Sequence, residues 1–157
     1  MAKDSITEYL SKQEILSGLD PDFTQFIASC AKEKRVEKGA VLFRRGDKAD
    51  RFFLVRSGSL TIEIPAIQGP SLEVQRLGPD KILGWSWLIP PYRWSFQAKA
   101  QETSDVIEFD GAAIVKRCEE EPKLGYEMMK RFTLLMSERI EASRQKMMDE
   151  WNPPGFA

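Results

Sequence analysis

Histidine is absent from the sequence. A neutral imidazole is the usual general base near pH 7 and the commonest metal ligand. Its absence therefore removes a Ser-His-Asp triad, a histidine proton shuttle and the usual zinc sites. Carboxylates remain, but no acidic pair stands in a recognisable catalytic setting, so the chain is not expected to be an enzyme, and no metal is expected. Cysteine is scarce. Cys30 and Cys118 are the only two, each in a helix-like segment ("FIASCAKEK", "IVKRCEEE"), and they read as reduced structural thiols. No apolar run approaches the ~18 residues of a membrane span. The N-terminal "MAKDSITEYLSKQEIL" lacks the apolar stretch of a secretion signal. A cytoplasmic location without membrane association is expected. An excess of positive charge is lacking too. The 23 Lys and Arg against 24 Asp and Glu leave a net charge of −1, which gives no bulk attraction for a polyanion, so nucleic acid is not an expected partner.

What is present suits one folded domain spanning 1–157: 157 residues, 42% hydrophobic and 30% charged, are enough to enclose a core. Ile6, Tyr9, Leu10 and Ile15 fall at helical spacing between Ser5 and Leu16. Phe23, Phe26, Ile27 and Cys30 do the same after Asp20-Pro21. These predict helices within 5–34. The period then drops to two, with turn signals at Lys38-Gly39, Gly46-Asp47, Ser57-Gly58 and Gly78-Pro79. Seven or eight short strands are predicted over 35–110, including strands at 94–100 and 105–109. Helix returns over 111–150: a short one ending near Pro122, then one long pattern from Lys123 to Glu150. Met129, Phe132, Met136, Ile140, Ser143 and Met147 form one stripe of it, with Leu124, Met128 and Leu135 beside them. An apolar arc this broad is expected to bury two faces, one on its own domain and one in a homodimer, with Phe132 in the dimer seam.

The segment "KGAVLFRRGDKADRFFLVRSGSLTI" carries a family resemblance. A Gly before a strand (Gly39), Leu42-Phe43, a Gly46-Asp47 turn, the strand Phe52-Phe53-Leu54-Val55 and then Ser57-Gly58 resemble the signature of the cyclic-nucleotide-binding domains of the catabolite activator and related bacterial regulators. The likeness covers residues 10 to 145. It implies an α+β, mainly β fold: a β-roll or jelly-roll flanked by N-terminal helices and a long C-terminal helix. The function it implies is a non-enzymatic regulatory or sensor binding domain.

In that family a phosphate-binding cassette follows the strand ending in Phe-Gly. Its Gly-Glu pair opens the loop, the Glu takes a ribose hydroxyl, and an Arg ten positions after the Gly neutralises the phosphate. Here the cassette is "LGWSWLIPPYRW". Gly84 stands in the Gly position, Trp85 in the Glu position, and the ungapped count of ten reaches Trp94. Arg93 lies one residue early. Ser86 and Ser95 are small polar groups nearby, and Trp87 completes the aromatic set. The candidate ligand-binding residues are therefore Gly84, Trp85, Ser86, Trp87, Arg93, Trp94 and Ser95. Losing the two best polar ligands puts ordinary cyclic-nucleotide binding in doubt, and no cofactor is expected. Three readings stay open. In one, Trp85, Trp87, Trp94 and Phe96 fill the vacated pocket. In another, they line a pocket for an apolar or aromatic ligand anchored by Arg93. In the last, Arg93 and backbone amides still hold a cyclic nucleotide or phosphate. Trp94, Phe96, Ala98 and Ala100 share one strand phase and are expected to point inward, with Arg93 and Ser95 outward.

The segment "WNPPGFA" after the long helix is too short and proline-rich to form a DNA-binding winged helix, so none is expected in these 157 residues. The expected function is a stand-alone sensor with a small-molecule ligand. The alternatives are a ligand-free scaffold or interaction subunit, and the isolated regulatory domain of a transcription regulator.

Overall fold

The computed structural model describes residues 2–151. Two N-terminal helices, α1 (Ala2–Ser11) and α2 (Pro21–Ser29), flank a short 3-10 turn at Glu14–Leu16. Eight strands follow: β1 (Ala31–Val36), β2 (Val41–Phe43), β3 (Arg51–Ser57), β4 (Leu60–Ile64), β5 (Leu72–Leu77), β6 (Ile82–Leu83), β7 (Gln97–Ala100) and β8 (Ser104–Asp110). Helices α3 (Gly111–Glu120) and α4 (Pro122–Glu150) complete the chain. The strands form two four-stranded antiparallel sheets, ordered β1-β8-β3-β6 and β2-β7-β4-β5, and together they make the expected roll.

Two segments depart from expectation. Helix was predicted to Lys34, but α2 ends at Ser29 and Ala31–Val36 pairs along β8 from Ala31↔Phe109 to Val36↔Ser104. Tertiary pairing overrides local helix propensity here. Lys32 and Lys34 reach the buried Glu108 carboxylate at 3.0 and 3.5 Å, a partner that no local pattern announces. The strand expected from residue 94 begins at Gln97, because residues 92 to 94 pair instead with the turn at 46–49.

In the sheet β1-β8-β3-β6, strands β8, β3 and β6 are buried on both faces, which creates two cores, while β1 is largely exposed. Alternation along β3 sends Phe53 and Val55 into the roll, with Val106, Leu60, Ile62 and Leu83. Phe52 and Leu54 go to the other face, with Ile107 and Phe109, under Leu10, Ile27, Ile114, Leu124 and Met128 of the helices. Side-chain caps fix the helix starts: Asp20 accepts from the Asp22 N–H before α2, and Asp110 accepts from the Ala113 N–H before α3.

Helix α4 runs 29 residues. Leu124, Met128 and Phe132 are fully buried on their own domain, and Leu135 is half-buried beside them. This corrects the expected place of Phe132. It meets Trp87 and Phe52 edge-on, at 5.1 and 5.4 Å between ring centroids, inside the helix-side core rather than in a dimer seam. Of the rest of the stripe, Met129, Ile140 and Met147 face outward, 45, 52 and 67% exposed, while Met136 and Ser143 are half-buried. A second apolar face therefore exists, and the single chain leaves it uncovered. No helix among the described residues is long and apolar enough to cross a membrane.

Candidate ligand-binding site

The cassette begins where β6 ends. Gly84 has φ +104°, and a Cβ there would lie 2.6 Å from Trp94 Cη2, so both the backbone conformation and the close approach require glycine. A tight turn follows, in which the Leu88 and Ile89 N–H groups donate to the carbonyls of Trp85 and Ser86 at 3.0 and 3.4 Å. These two amides are therefore engaged within the loop. The Pro90–Pro91 peptide is cis, and Tyr92 then takes a positive φ of 56°. From there the chain runs antiparallel to residues 46–49. The Ala49 N–H donates to Tyr92, the Trp94 N–H to Asp47 and the Gly46 N–H to Trp94.

This pairing decides where each candidate goes. Trp94 enters the roll, 2% exposed and stacked on Phe43 at 3.7 Å and 10°. Phe96 lies 6.1 Å from it, and Ala98 and Ala100 continue the inward phase as expected. Arg93 and Ser95 are exposed on the outer face. Trp87 is buried on the opposite side of the sheet. It stacks on Phe52 at 4.5 Å, and its indole N–H donates to the Gly84 carbonyl at 3.1 Å. Of the four aromatics, Trp94 and Phe96 are therefore buried inside the roll, and Trp87 is buried in the other core. Trp85 is half-buried at the edge, near Phe96 at 6.2 Å, and Ser86 is buried under the turn. The structure brings Gly84 and Trp94 into contact and sends Trp87, Arg93 and Ser95 elsewhere.

Two residues that sequence reasoning missed shape the surroundings. Arg139 of α4 is 6% exposed and donates to the Ile82 carbonyl of β6, two residues before Gly84; its Nη1 has no partner among the described residues. Burial brings its pKa down to about 10. Its signal was a cation seven residues beyond Phe132 on the inward face. Glu108 is the other. Burial pushes its pKa up, but the hydrogen bond from Lys32 and the charges of Lys34 and Arg51 more than offset this and hold it below the usual range. A lone acid in the apolar run "VIEF" was the readable sign. Burial also raises both thiols, Cys118 to about 11, which disfavours the nucleophilic thiolate at each. A cavity of about 180 Å³ lies outside the roll, between the 3-10 turn, the β5–β6 turn and α4, lined by Ile15, Asp80, Ile82, Leu135 and Glu138 among others.

The fold and signature have clear relatives. Residues 33–121 match the family described as "Cyclic nucleotide-binding domain". A putative cyclic nucleotide-binding protein from Geobacter metallireducens is 25% identical, with 85% of this chain and 97% of that one covered at a TM-score of 0.78. The sensor domain of the transcriptional regulator DNR from Pseudomonas aeruginosa shares 17% identity over 99% of each chain at 0.72. The regulatory subunit of a cAMP-independent protein kinase A from Trypanosoma brucei shares 17% over 82% of this chain and 51% of that one at 0.63. The last two, at such identity, speak for the fold alone. With the signature glycines at their turns and more than half of the chain matched, this protein belongs to the cyclic nucleotide-binding domain family.

Proposed function

We propose that this protein is a regulatory module whose roll is closed to cyclic nucleotides by its own Trp94, and which works as a homodimer through the outer face of α4. One observation carries the closed roll. Trp94 is buried among Phe43, Phe96 and Leu83, with its indole against Gly84, in the space where a nucleotide's phosphate and ribose would need polar partners. For Arg93 to reach that space it would have to exchange faces with Trp94. Such a one-residue slip flips every neighbouring side chain and breaks the hydrogen bonds to residues 46–49. A phosphate or ribose hydroxyl left unpaired there costs roughly 1–3 kcal/mol per group. The expected activity is therefore interaction rather than catalysis, in the cytoplasm, with neither nucleic acid nor cofactor. The same fold occurs in the T. brucei regulatory subunit, which belongs to a protein kinase A described as cAMP-independent.

Calorimetric titration with cAMP and cGMP should show no saturable binding tighter than about millimolar, where only ~4 kcal/mol is available. Micromolar binding would mean that Trp94 leaves the roll, and would overturn the proposal. The dimer has its own test. Ile140→Glu should give monomers in sedimentation with an unchanged circular dichroism spectrum, because it places an unpaired carboxylate in the seam alone. A wild-type protein that sediments as a monomer at micromolar concentration would refute the seam.

A further inference from the structure

The outer face of the cassette carries an arrangement of charge that the roll does not explain. Donation from the Ala49 N–H to the Tyr92 carbonyl (2.8 Å) and from the Trp94 N–H to the Asp47 carbonyl (3.0 Å) brackets Lys48 and Arg93 as an antiparallel pair with no hydrogen bond between them. In that geometry the Cα atoms are about 4.5 Å apart and both side chains leave the same face, the closest approach a sheet offers. Both residues are exposed, and like charges so placed repel. The neighbouring carboxylates do not relieve them. Asp47 Oδ2 accepts from the Arg44 N–H at 3.1 Å to close the turn, and the exposed Asp50 forms no ion pair with either cation. The same turn adds Arg44 and Arg45, both exposed. Among the described residues, none of the four cations has an ion-pair partner or a side-chain hydrogen bond. Other cations do find carboxylates: Glu108 collects Lys32, Lys34 and Arg51, Glu33 takes Arg56, and Glu127 takes Arg131. Exposed lysines such as Lys38 and Lys116 form no ion pair among the described residues either, so it is the facing of two like charges that sets this pair apart. A local rule broken without compensation is what a functional surface leaves behind.

We propose that this face, with Lys48 and Arg93 at its centre and Arg44 and Arg45 at its rim, docks an acidic segment of a protein partner, the carboxylates bridging the repelling pair. Charge complementarity names the partner's sign, and the surroundings name its class. Pro90 and Pro91 are exposed and Tyr92 is half-buried beside the pair, giving apolar and ring surface within reach of the cations. A peptide that interleaves acids with apolar residues uses both. A duplex or an anionic membrane needs a broader positive field than a chain of net charge −1, with Asp47 and Asp50 inside the patch, provides.

The test couples stability to binding. Lys48→Glu or Arg93→Glu turns the repelling pair into an attractive one, so each should raise the melting temperature, by about 1–3 °C. The double reversal restores repulsion and should cancel the gain. Binding of a fluorescein-labelled glutamate–alanine–leucine peptide, followed by anisotropy at low salt, should weaken roughly tenfold or more in each single variant and in the double, and should weaken with added salt for the wild type. Three results would overturn the proposal: no peptide binding by the wild type, peptide binding indifferent to both reversals, or tighter binding of a DNA duplex or of phosphatidylserine vesicles than of the peptide. Failure of either single variant to gain stability would remove the repelling pair on which the argument stands.

Discussion

Trp87 and Trp94 come from one short loop, and both are 1–2% exposed, yet they belong to different cores. Trp87 joins Phe52, Phe109 and Phe132 between sheet and helices, and its N–H is satisfied by the Gly84 carbonyl. Trp94 lies in the roll against Phe43 and Phe96. The first ties the loop to the helical layer, a structural duty that any version of this fold could use. The second fills the inside of the roll, the space that the proposed function takes to be closed to a nucleotide. Burial alone does not separate the two duties; what does is the side of the sheet each tryptophan reaches.

The sharpest way to break this comparison is to remove each ring in turn. Trp87→Ala and Trp94→Ala should each cost about 3–5 kcal/mol, the usual penalty for emptying an aromatic site. Added indole should restore part of the melting temperature of Trp94→Ala, whose cavity is walled by side chains of the roll. It should do little for Trp87→Ala, which loses a hydrogen bond as well and loosens the helical layer. Equal rescue of both would show that the two sites are the same kind of space.

A smaller effect sharpens the contrast from outside. The helical layer is held partly by a polar contact: the Tyr9 hydroxyl of α1 donates to Asp80 in the β5–β6 turn. Burial, then the hydrogen bond and charge of Asp80, push the Tyr9 pKa up to about 12. A folded-state value above the unfolded one, about 10, gives a contribution fully present below pH 10 and lost as pH rises through 12. Stability should therefore fall over that window in the wild type and fall less in Tyr9→Phe, measured by urea unfolding at several alkaline pH values. Equal slopes would remove Tyr9 from the account.

The order of elements was legible because turn chemistry is local. Gly39, Gly46 and Gly58 all take positive φ where the spacing called for turns. The inward phase of Trp94 was legible because strand alternation persists through Phe96, Ala98 and Ala100. Trp87 could not be placed the same way, since strand phase is lost across the turn at 85–88. β1 was hidden because "AKEKR" has no period of its own and becomes a strand only against β8. Phe132 was misplaced because a continuous apolar arc does not say which half faces home. The repelling Lys48–Arg93 pair joins residues 45 apart, and only the folded ladder sets them opposite each other.

The contact between Gly84 and Trp94 makes each position depend on the other. With the indole carbon 2.6 Å from where a Cβ would stand, any larger residue at position 84 collides with Trp94. Changes at the two positions should therefore be epistatic: Gly84→Ala should cost less in a Trp94→Ala background than in the wild type, although the strain of φ +104° remains in both. A larger residue at position 84 is therefore tolerated only after Trp94 shrinks, and that first step carries the cost of an emptied core. The pair thus acts as a one-way lock on substitution: the glycine can change only behind the tryptophan.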